Sequence, residues 1–525
     1  MVNSPSTPRV LSRMMRPRVT AALVFALLLP AATVAAQGRR ARLSDDLAEK
    51  LRGRDVSDTA VILTGTQDQV DRVAARHGLR IRRRMSTGAL IDVPAGRLDE
   101  VTRDADVDQL SGNHLLHSQM AITTVSTGAD QAWDGVGTLP GVDGAGTGIA
   151  IIDSGIANLP EFRGRIVYTV DFTEDAKKAA TYGVDRFGHG THVAGIAAAD
   201  GGKDRGRTGM APGAHLVSLK VLDKDGVGTS ADVIDAIDWT IDHAKQFKLR
   251  VINLSLGGTP MSSWRDDPLC QAVARAHDAG LVVVASAGNF GKLADGTPVN
   301  GGITVPGTCP HSLTVGAVNT KGTFFRSDDV MASYSSRGPT RYDHLVKPEL
   351  VAPGNRIRGL LAPKSTLAAE HPELVIGSGK DALLELSGTS MSTAVVSGAA
   401  ALLLDLKPKL TPFLVRAALM YGAEEMAGTS ILESGAGSLN VAATLQPDFV
   451  RKTPFIRIAG ERTTAGGLVF GSTVVWRETV VWGETVVWGE TVVWGETVVW
   501  GETVVWGETV VWGETVVWGE DTPGD

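Results

Sequence analysis

The run Gly148-Ile149-Ala150-Ile151-Ile152-Asp153 is apolar at odd and even positions alike until its last residue. A strand that offers apolar side chains to both faces is buried in a parallel sheet; a surface strand would alternate. Runs of the same kind recur at Ala214–Leu222, Arg250–Leu256, Leu281–Ser286 and Leu313–Ala317. Between them lie segments of helical period, Ser230–Phe247 and Pro268–Ala279, and a long apolar helix is expected over Ser392–Leu406. Strands alternating with helices predict an α/β fold with a doubly wound parallel sheet and flanking helices. Ligands of such sheets collect at the carboxyl ends of the strands.

A different pattern precedes this region. Thr59–Gly65 reads as a strand and Thr66–His77 as a helix, opened by a Thr66/Gln69 capping box with Val70, Val73, Ala74 and His77 on one face. Strands at Leu79–Met85 and Ala89–Val93 flank the turn signal Ser86-Thr87-Gly88. A short helix at Arg97–Arg103 and a strand at Val107–Leu110 complete a βαββαβ order, which predicts a small α+β unit over residues 55–118.

Both ends of the chain stand apart from these patterns. Arg9, Arg13, Arg16 and Arg18 lead into the apolar run Val19–Leu29, followed by Pro30 and the small residues Ala31–Ala36. That is the layout of a secretory signal peptide cut after Ala36; the alternative is an uncleaved anchor. Its 18 residues from Val19 to Ala36, interrupted by Pro30, fall short of the roughly 20 that span a bilayer comfortably. At the other end, TVVWRE at Thr473 is followed by seven copies of TVVWGE that end at Glu520. An even period keeps strand faces in register from copy to copy, so the tail is β-prone. A long strand, a meander turning at Gly-Glu, one side of a β-solenoid and an unstructured expansion all remain open.

Composition sharpens this division. The 525 residues carry a net charge of −7, with 43% hydrophobic and 21% charged residues, which excludes wholesale disorder and a polytopic membrane protein. Residues 473–525 hold one basic and ten acidic residues, and eight of the eleven Trp lie in the repeats. The acidity and the Trp excess are therefore properties of the tail. Without a basic face, no nucleic-acid partner is expected.

Three short segments carry chemistry. The buried strand ends on Asp153-Ser154-Gly155; Phe187-Gly188-His189-Gly190-Thr191-His192-Val193-Ala194-Gly195 is a glycine turn that opens a helix; and Leu386-Ser387-Gly388-Thr389-Ser390-Met391 sets a Ser at a turn before the last helix. Singly, each has an ordinary reading: a strand-end cap, a structural His, an N-cap. Together, in the order Asp, His, Ser, they supply an orienting carboxylate, a base and a nucleophile. With Ala287-Gly288-Asn289, these segments make the chain resemble the subtilisin-like serine proteases over roughly residues 120–445.

The resemblance implies a catalytic triad of Asp153, His189 and Ser390, with Asn289 as the oxyanion-hole side chain, and a structural role for His192. It implies peptide binding between the glycine-rich stretch holding Gly226, Val227 and Gly228 and the strand end Ser255, Leu256 and Gly257, where small residues let a substrate backbone approach. Phe290, next to Asn289, predicts an apolar preference at the residue before the cut. Where the family has Ala, a variable residue and Pro after Gly-Thr-Ser-Met, this chain has Ser392, Thr393 and Ala394, which leaves the rigidity of that turn in question. Cys270 and Cys309 are candidates for one disulfide, the alternative being two buried thiols. No cofactor is required for the chemistry; structural calcium is an expectation of the family, with no ligand set matched here.

The expected organisation is a signal peptide (1–36), a linker (37–54), an inhibitory pro-domain (55–118), a subtilisin-like catalytic domain (119–445), a linker (446–472), the hexapeptide repeats (473–520) and a C-terminal tail (521–525). The function this implies is a secreted, autoprocessed serine endopeptidase with polypeptide substrates and its own pro-domain as inhibitor, cut within Asn113–Gln119. Two rivals stand beside it. One is a surface-binding or self-associating protein, built on the tail, with an ancillary protease domain; the other is an esterase or transacylase that uses the same nucleophile.

Overall fold

The computed structural model describes residues 40–53, 57–112, 119–137, 139–177, 182–446 and 456–470, and the strand residues of the repeats between 474 and 518. The expected signal peptide and the 113–118 part of the expected cleavage segment lie outside the described residues. The chain divides into two compact units, Met1–Leu116 and His117–Asp525.

The first unit is an α+β sandwich. Its strands are β1 (Arg42–Leu43), β2 (Thr59–Thr64), β3 (Arg80–Met85), β4 (Gly88–Val93) and β5 (Gln109–Gly112), in the order β1-β5-β2-β4-β3. The helix α2 (Gln67–His77) starts at the Thr66/Gln69 capping box and stops at Gly78 in the left-handed conformation, with Val70, Val73, Ala74 and His77 buried. Only glycine fits at position 88, because a Cβ there would lie 1.9 Å from the Leu63 carbonyl oxygen. One boundary is corrected. Residues 41–52, expected to be linker, supply β1, which pairs in parallel with β5, and α1 (Asp45–Arg52), which puts Leu47 into the same core. Leu47, Ala48 and Leu51 among the charges of DDLAEKLR are too few to register as a periodic pattern.

The second unit is built on an eight-stranded sheet. Its members are β6 (Gly148–Asp153), β7 (Ile166–Asp171), β8 (His215–Lys220), β9 (Leu249–Leu254), β10 (Val282–Ser286), β11 (Ser312–Asn319), β12 (Val330–Met331) and β13 (Leu350–Pro353). The order is β12-β11-β10-β9-β6-β8-β7, with β13 beside β11, and every pairing except β11–β12 is parallel. The apolar strands are filled on both faces. Ile149 and Ile151 join a core that includes Val193, Ile196 and the helix Thr389–Leu406, while Ala150 and Ile152 join one formed by Val233, Ile237, Leu269 and Val273. That two-sided burial is what the unbroken apolar run required. Thr389–Leu406 is apolar all round because it runs through the first of these cores, with fifteen of its residues buried. From β6 the chain runs out to β7, returns to β8 beside β6, and then crosses to β9 on the other side of β6, so the winding reverses there and a crevice opens at the carboxyl end of β6.

A second boundary is also corrected. Residues 456–463, expected to be linker, form an antiparallel hairpin, Ile456–Ile458 with Glu461–Thr463, and Ile456, Ile458 and Phe470 are buried in the larger core. Gln131 Nε2 donates to the Arg457 carbonyl at 2.8 Å, and Asn440 Nδ2 to Thr463 Oγ1 at 3.2 Å. In the repeats, strands pair in parallel with the copy twelve residues on, for example Thr479–Trp482 with Thr491–Trp494, so that alternate copies build two separate sheets.

Candidate active site

Asp153 closes β6 with its side chain fully buried, and its Oδ1 accepts the Ser154 amide at 2.7 Å. His189 begins the helix α3 (His189–Ala198) directly after Gly188, whose φ of 103° turns the chain into the helix. The two segments lie very close together: a Cβ on Gly190 would sit 2.2 Å from the Gly155 carbonyl oxygen. This approach sets His189 Nδ1 at 2.9 Å from each oxygen of Asp153. Burial alone would pull the imidazole pKa down; the charge and hydrogen bond of Asp153, helped by Asp185, outweigh it, so the pKa stands above its ordinary value.

Sequence reasoning missed the residue that holds this arrangement. Asp185 is buried and accepts four hydrogen bonds: from Ser154 Oγ (2.9 Å), the Gly188 amide (2.7 Å), the Thr191 amide (2.8 Å) and Thr191 Oγ1 (2.5 Å). It therefore ties the end of β6 to the start of α3. Its only signal in the sequence is a carboxylate four residues before His189, which reads as an ordinary turn residue.

Ser390 is the second residue of the helix Thr389–Leu406, where unpaired amides gather. Its Oγ donates to the Ser255 carbonyl at 2.9 Å, and Ser255 Oγ donates to the Ser390 carbonyl at 2.8 Å. The serine hydroxyl is thus engaged by the strand edge in this state, and its bond to His189 is not made; such contacts commonly form only when substrate is present. Asn289 follows Gly288, whose φ is 99°, and its Oδ1 accepts from the Thr389 amide (3.0 Å) and Thr389 Oγ1 (3.1 Å). Those two donors fix which end of the amide is oxygen and leave Nδ2 as the available donor. The turn holding Ser392 and Thr393 is pinned by side chains: Ser392 Oγ bonds the Ala352 carbonyl at 2.9 Å and Thr393 Oγ1 the Thr389 carbonyl at 2.8 Å. These bonds restrain it without proline.

A cavity of about 520 Å³ is lined by His189 together with Gly226, Val227, Gly228, Ser255, Leu256 and Gly257. Leu222, Val233 and Leu269 give it an apolar wall. Asp223 spends its carboxylate on the amides of Asp225 and Val227, which shapes the glycine turn at one rim. His192 lies apart in the core. Its Nε2 is 2.9 Å from the Leu384 carbonyl and 3.1 Å from that of Ile357, and burial pushes its pKa down to about 4, so it stays neutral. Cys270 and Cys309 form a disulfide with a Cα–Cα distance of 5.2 Å, joining the first turn of the helix Pro268–Asp278 to the loop before β11. Among the described residues, no group of three or more His, Cys, Asp or Glu side chains is arranged to hold a metal ion.

The chain has clear relatives among known proteins. Residues 144–439 match the model of the subtilase family, peptidase family S8. The chain is 36% identical over 333 residues to serine protease AprX of Bacillus subtilis (strain 168), covering 62% of this chain and 72% of that one. It is 32% identical over 364 residues to subtilisin E of the same organism (68% and 81%) and 34% identical over 307 residues to subtilisin DY of Bacillus licheniformis (58% and 93%). With more than half its length matched, and Asp153, His189, Asn289 and Ser390 all inside the matched region, the chain belongs to the subtilase family of serine peptidases.

Proposed function

We propose that this subtilisin-like serine endopeptidase is secreted, matures by cutting itself, and acts through Asp153, His189 and Ser390 with Asn289 as the oxyanion donor. The observation that carries the reading is the His189–Asp153 pair at 2.9 Å on the wall of a cavity whose rims include all six glycine-edge residues. A peptide added along Ser255–Gly257 would offer its own N–H to the Ser255 carbonyl and free the Ser390 hydroxyl for His189 Nε2. His189 would take that proton as Ser390 Oγ attacks the carbonyl carbon, with Asp153 holding the Nδ1–H tautomer and stabilising the imidazolium. The oxyanion would meet Asn289 Nδ2 and the Ser390 amide at the helix N-terminus. The proton on His189 would then pass to the leaving amine, and water would hydrolyse the acyl-enzyme by the same route.

The leader 1–36 supports export, and the α+β unit supports an inhibitory pro-domain released by cleavage within Asn113–Gln119. The apolar wall and Phe290 support an apolar preference before the cut; a peptide library cleaved best after Lys or Arg would contradict it. The repeat tail, one basic residue among ten acidic, is assigned to surface or self-association. Deleting 473–525 should leave peptidase activity intact while surface retention is lost. The test of the whole reading is the Ser390→Ala chain. It should be exported, fail to label with a serine-hydrolase probe, and accumulate as an unprocessed precursor; normal maturation would refute self-cleavage.

A further inference from the structure

Lys347 stands beside a proline in the polar stretch Arg341-Tyr342-Asp343-His344-Leu345-Val346-Lys347-Pro348, which reads as a surface loop, yet its side chain is only 1% exposed. Its ammonium is ringed by oxygens: the carbonyls of Cys309 and Ser312 and Thr314 Oγ1, each at 2.9 Å, and Glu349 Oε1 at 2.7 Å. The cage is itself built. Glu349 Oε2 accepts the Thr314 amide at 2.6 Å, while Arg416 reaches Glu349 Oε1 at 2.6 Å and the Pro310 carbonyl at 2.5 Å. Burying an ammonium is costly unless every proton is taken, and here four oxygens surround three donors.

We propose that the Lys347 ammonium is a resident cation: it occupies an oxygen cage that would otherwise hold a monovalent metal ion, so this part of the fold carries its own positive charge. The donor set supports the choice of ion. Divalent calcium takes six to eight oxygens, usually with several carboxylates. Here there is a single carboxylate, and its charge is already shared with Arg416. The remaining oxygens are neutral carbonyls and a hydroxyl, the kind of donor that replaces the hydration shell of a monovalent cation. The cage therefore does not fit the structural calcium expected from the family. Its cations are Lys347 and Arg416.

The test uses the full chain in the Ser390→Ala background, so its readout does not depend on peptidase activity. Lys347→Ala should empty the cage and lower the unfolding midpoint in choline chloride. Adding about 0.1 M KCl or NaCl should raise the midpoint again, by on the order of 5 °C when the site saturates. The Lys347 parent should show no such difference between choline and potassium or sodium. Lys347→Met, which fills the cage with an apolar chain, should be destabilised in every salt and rescued by none. Folded Lys347→Ala recovered only in potassium or sodium media would support the proposal equally. An equal midpoint for Lys347→Ala in choline, potassium and sodium would overturn it, as would rescue by calcium alone or failure of both variants to fold in any salt.

Discussion

Arg326 offers a direct test of how the carboxyl-terminal hairpin is held. Its side chain is 6% exposed and its guanidinium makes four bonds: Nε to Glu424 Oε2 at 2.6 Å, Nη1 to the carbonyls of Ser126 (2.6 Å) and Leu439 (3.0 Å), and Nη2 to that of Ser438 (3.2 Å). Its own amide donates to Glu461 Oε2 of the hairpin at 2.6 Å. One residue thus joins the last turn of the helix Gln119–Thr127, the segment 438–439 and the hairpin. Arg326→Met keeps the length and apolar stem but takes their donor from the Ser126 and Leu439 carbonyls and the Glu424 carboxylate, while the Ser438 carbonyl keeps the Glu424 amide at 2.8 Å. A buried partner left unpaired costs about 1–3 kcal/mol, and more when charged. Glu424 is a quarter exposed and a cavity of about 340 Å³ adjoins the site, so water can reach these groups and the low end applies. The sum is about 3 kcal/mol, at roughly 1 kcal/mol for each of the three groups. At about 2 °C per kcal/mol for a domain of this size, the midpoint should fall by about 6 °C. Thermal unfolding of the full chain in the Ser390→Ala background, at one fixed scan rate, measures it. Adding Glu424→Gln should restore part of the loss by removing the uncompensated charge. A fall of less than about 2 °C would refute the idea that this guanidinium fastens the two ends of the unit.

Three further outcomes are expected. Because the His189 pKa is raised, the base becomes protonated at a higher pH than a free imidazole, so kcat/KM should drop on the acid side from above the ordinary histidine value and stay level on the alkaline side; a profile level well below pH 5 would exclude His189 as the base. Asp153→Asn should leave the fold intact and reduce kcat by on the order of 10⁴, since the amide favours the wrong imidazole tautomer; a loss below tenfold would remove Asp153 from the mechanism. Burial, with the charges of Asp328, Glu461 and Glu424, pushes the Asp329 carboxyl up to about 7 against the attraction of Arg326. Below that pH the folded chain keeps a proton that the unfolded chain has already released, so this group's contribution to stability falls as pH rises from about 4 to about 7. Asp329→Asn should therefore gain on the parent in unfolding midpoint between pH 5 and pH 8, and a constant gap would count against it.

Much of the site was legible because the chemistry sits in contiguous motifs at strand ends and helix starts. Asp153, His189, Asn289 and Ser390 each lie in a glycine-marked segment, and the two-sided apolar run around Ile151 announced a central parallel strand. What escaped notice depends on contacts distant in sequence. Asp185 resembles any turn carboxylate until four donors converge on it. Lys347 beside Pro348 resembles a solvated loop until the 309–314 segment closes around it. Ile456 and Ile458 alternate with Arg457 over only three residues, too short a run to separate a docked hairpin from a linker. Helix α1 is also short, with only Leu47, Ala48 and Leu51 among its charges.

The hub at Asp185 gives the site a division between a fixed half and an adjustable one. Because this carboxylate binds both the β6 end and the α3 start, the spacing of Asp153 and His189 is set from behind, by a residue that faces neither solvent nor the cleft. Nothing comparable clamps the hydroxyl of Ser390, which shares a single carbonyl acceptor with whatever comes to lie along the Ser255 edge. On the proposed mechanism, turnover asks for movement of the Ser390 hydroxyl at the Ser255 edge, while His189 and Asp153 already stand in contact. In that mechanism discrimination would rest on the backbone of the incoming molecule. A chain that can pair with the edge competes for the carbonyl and releases the hydroxyl; a small ester that cannot pair leaves it where it rests.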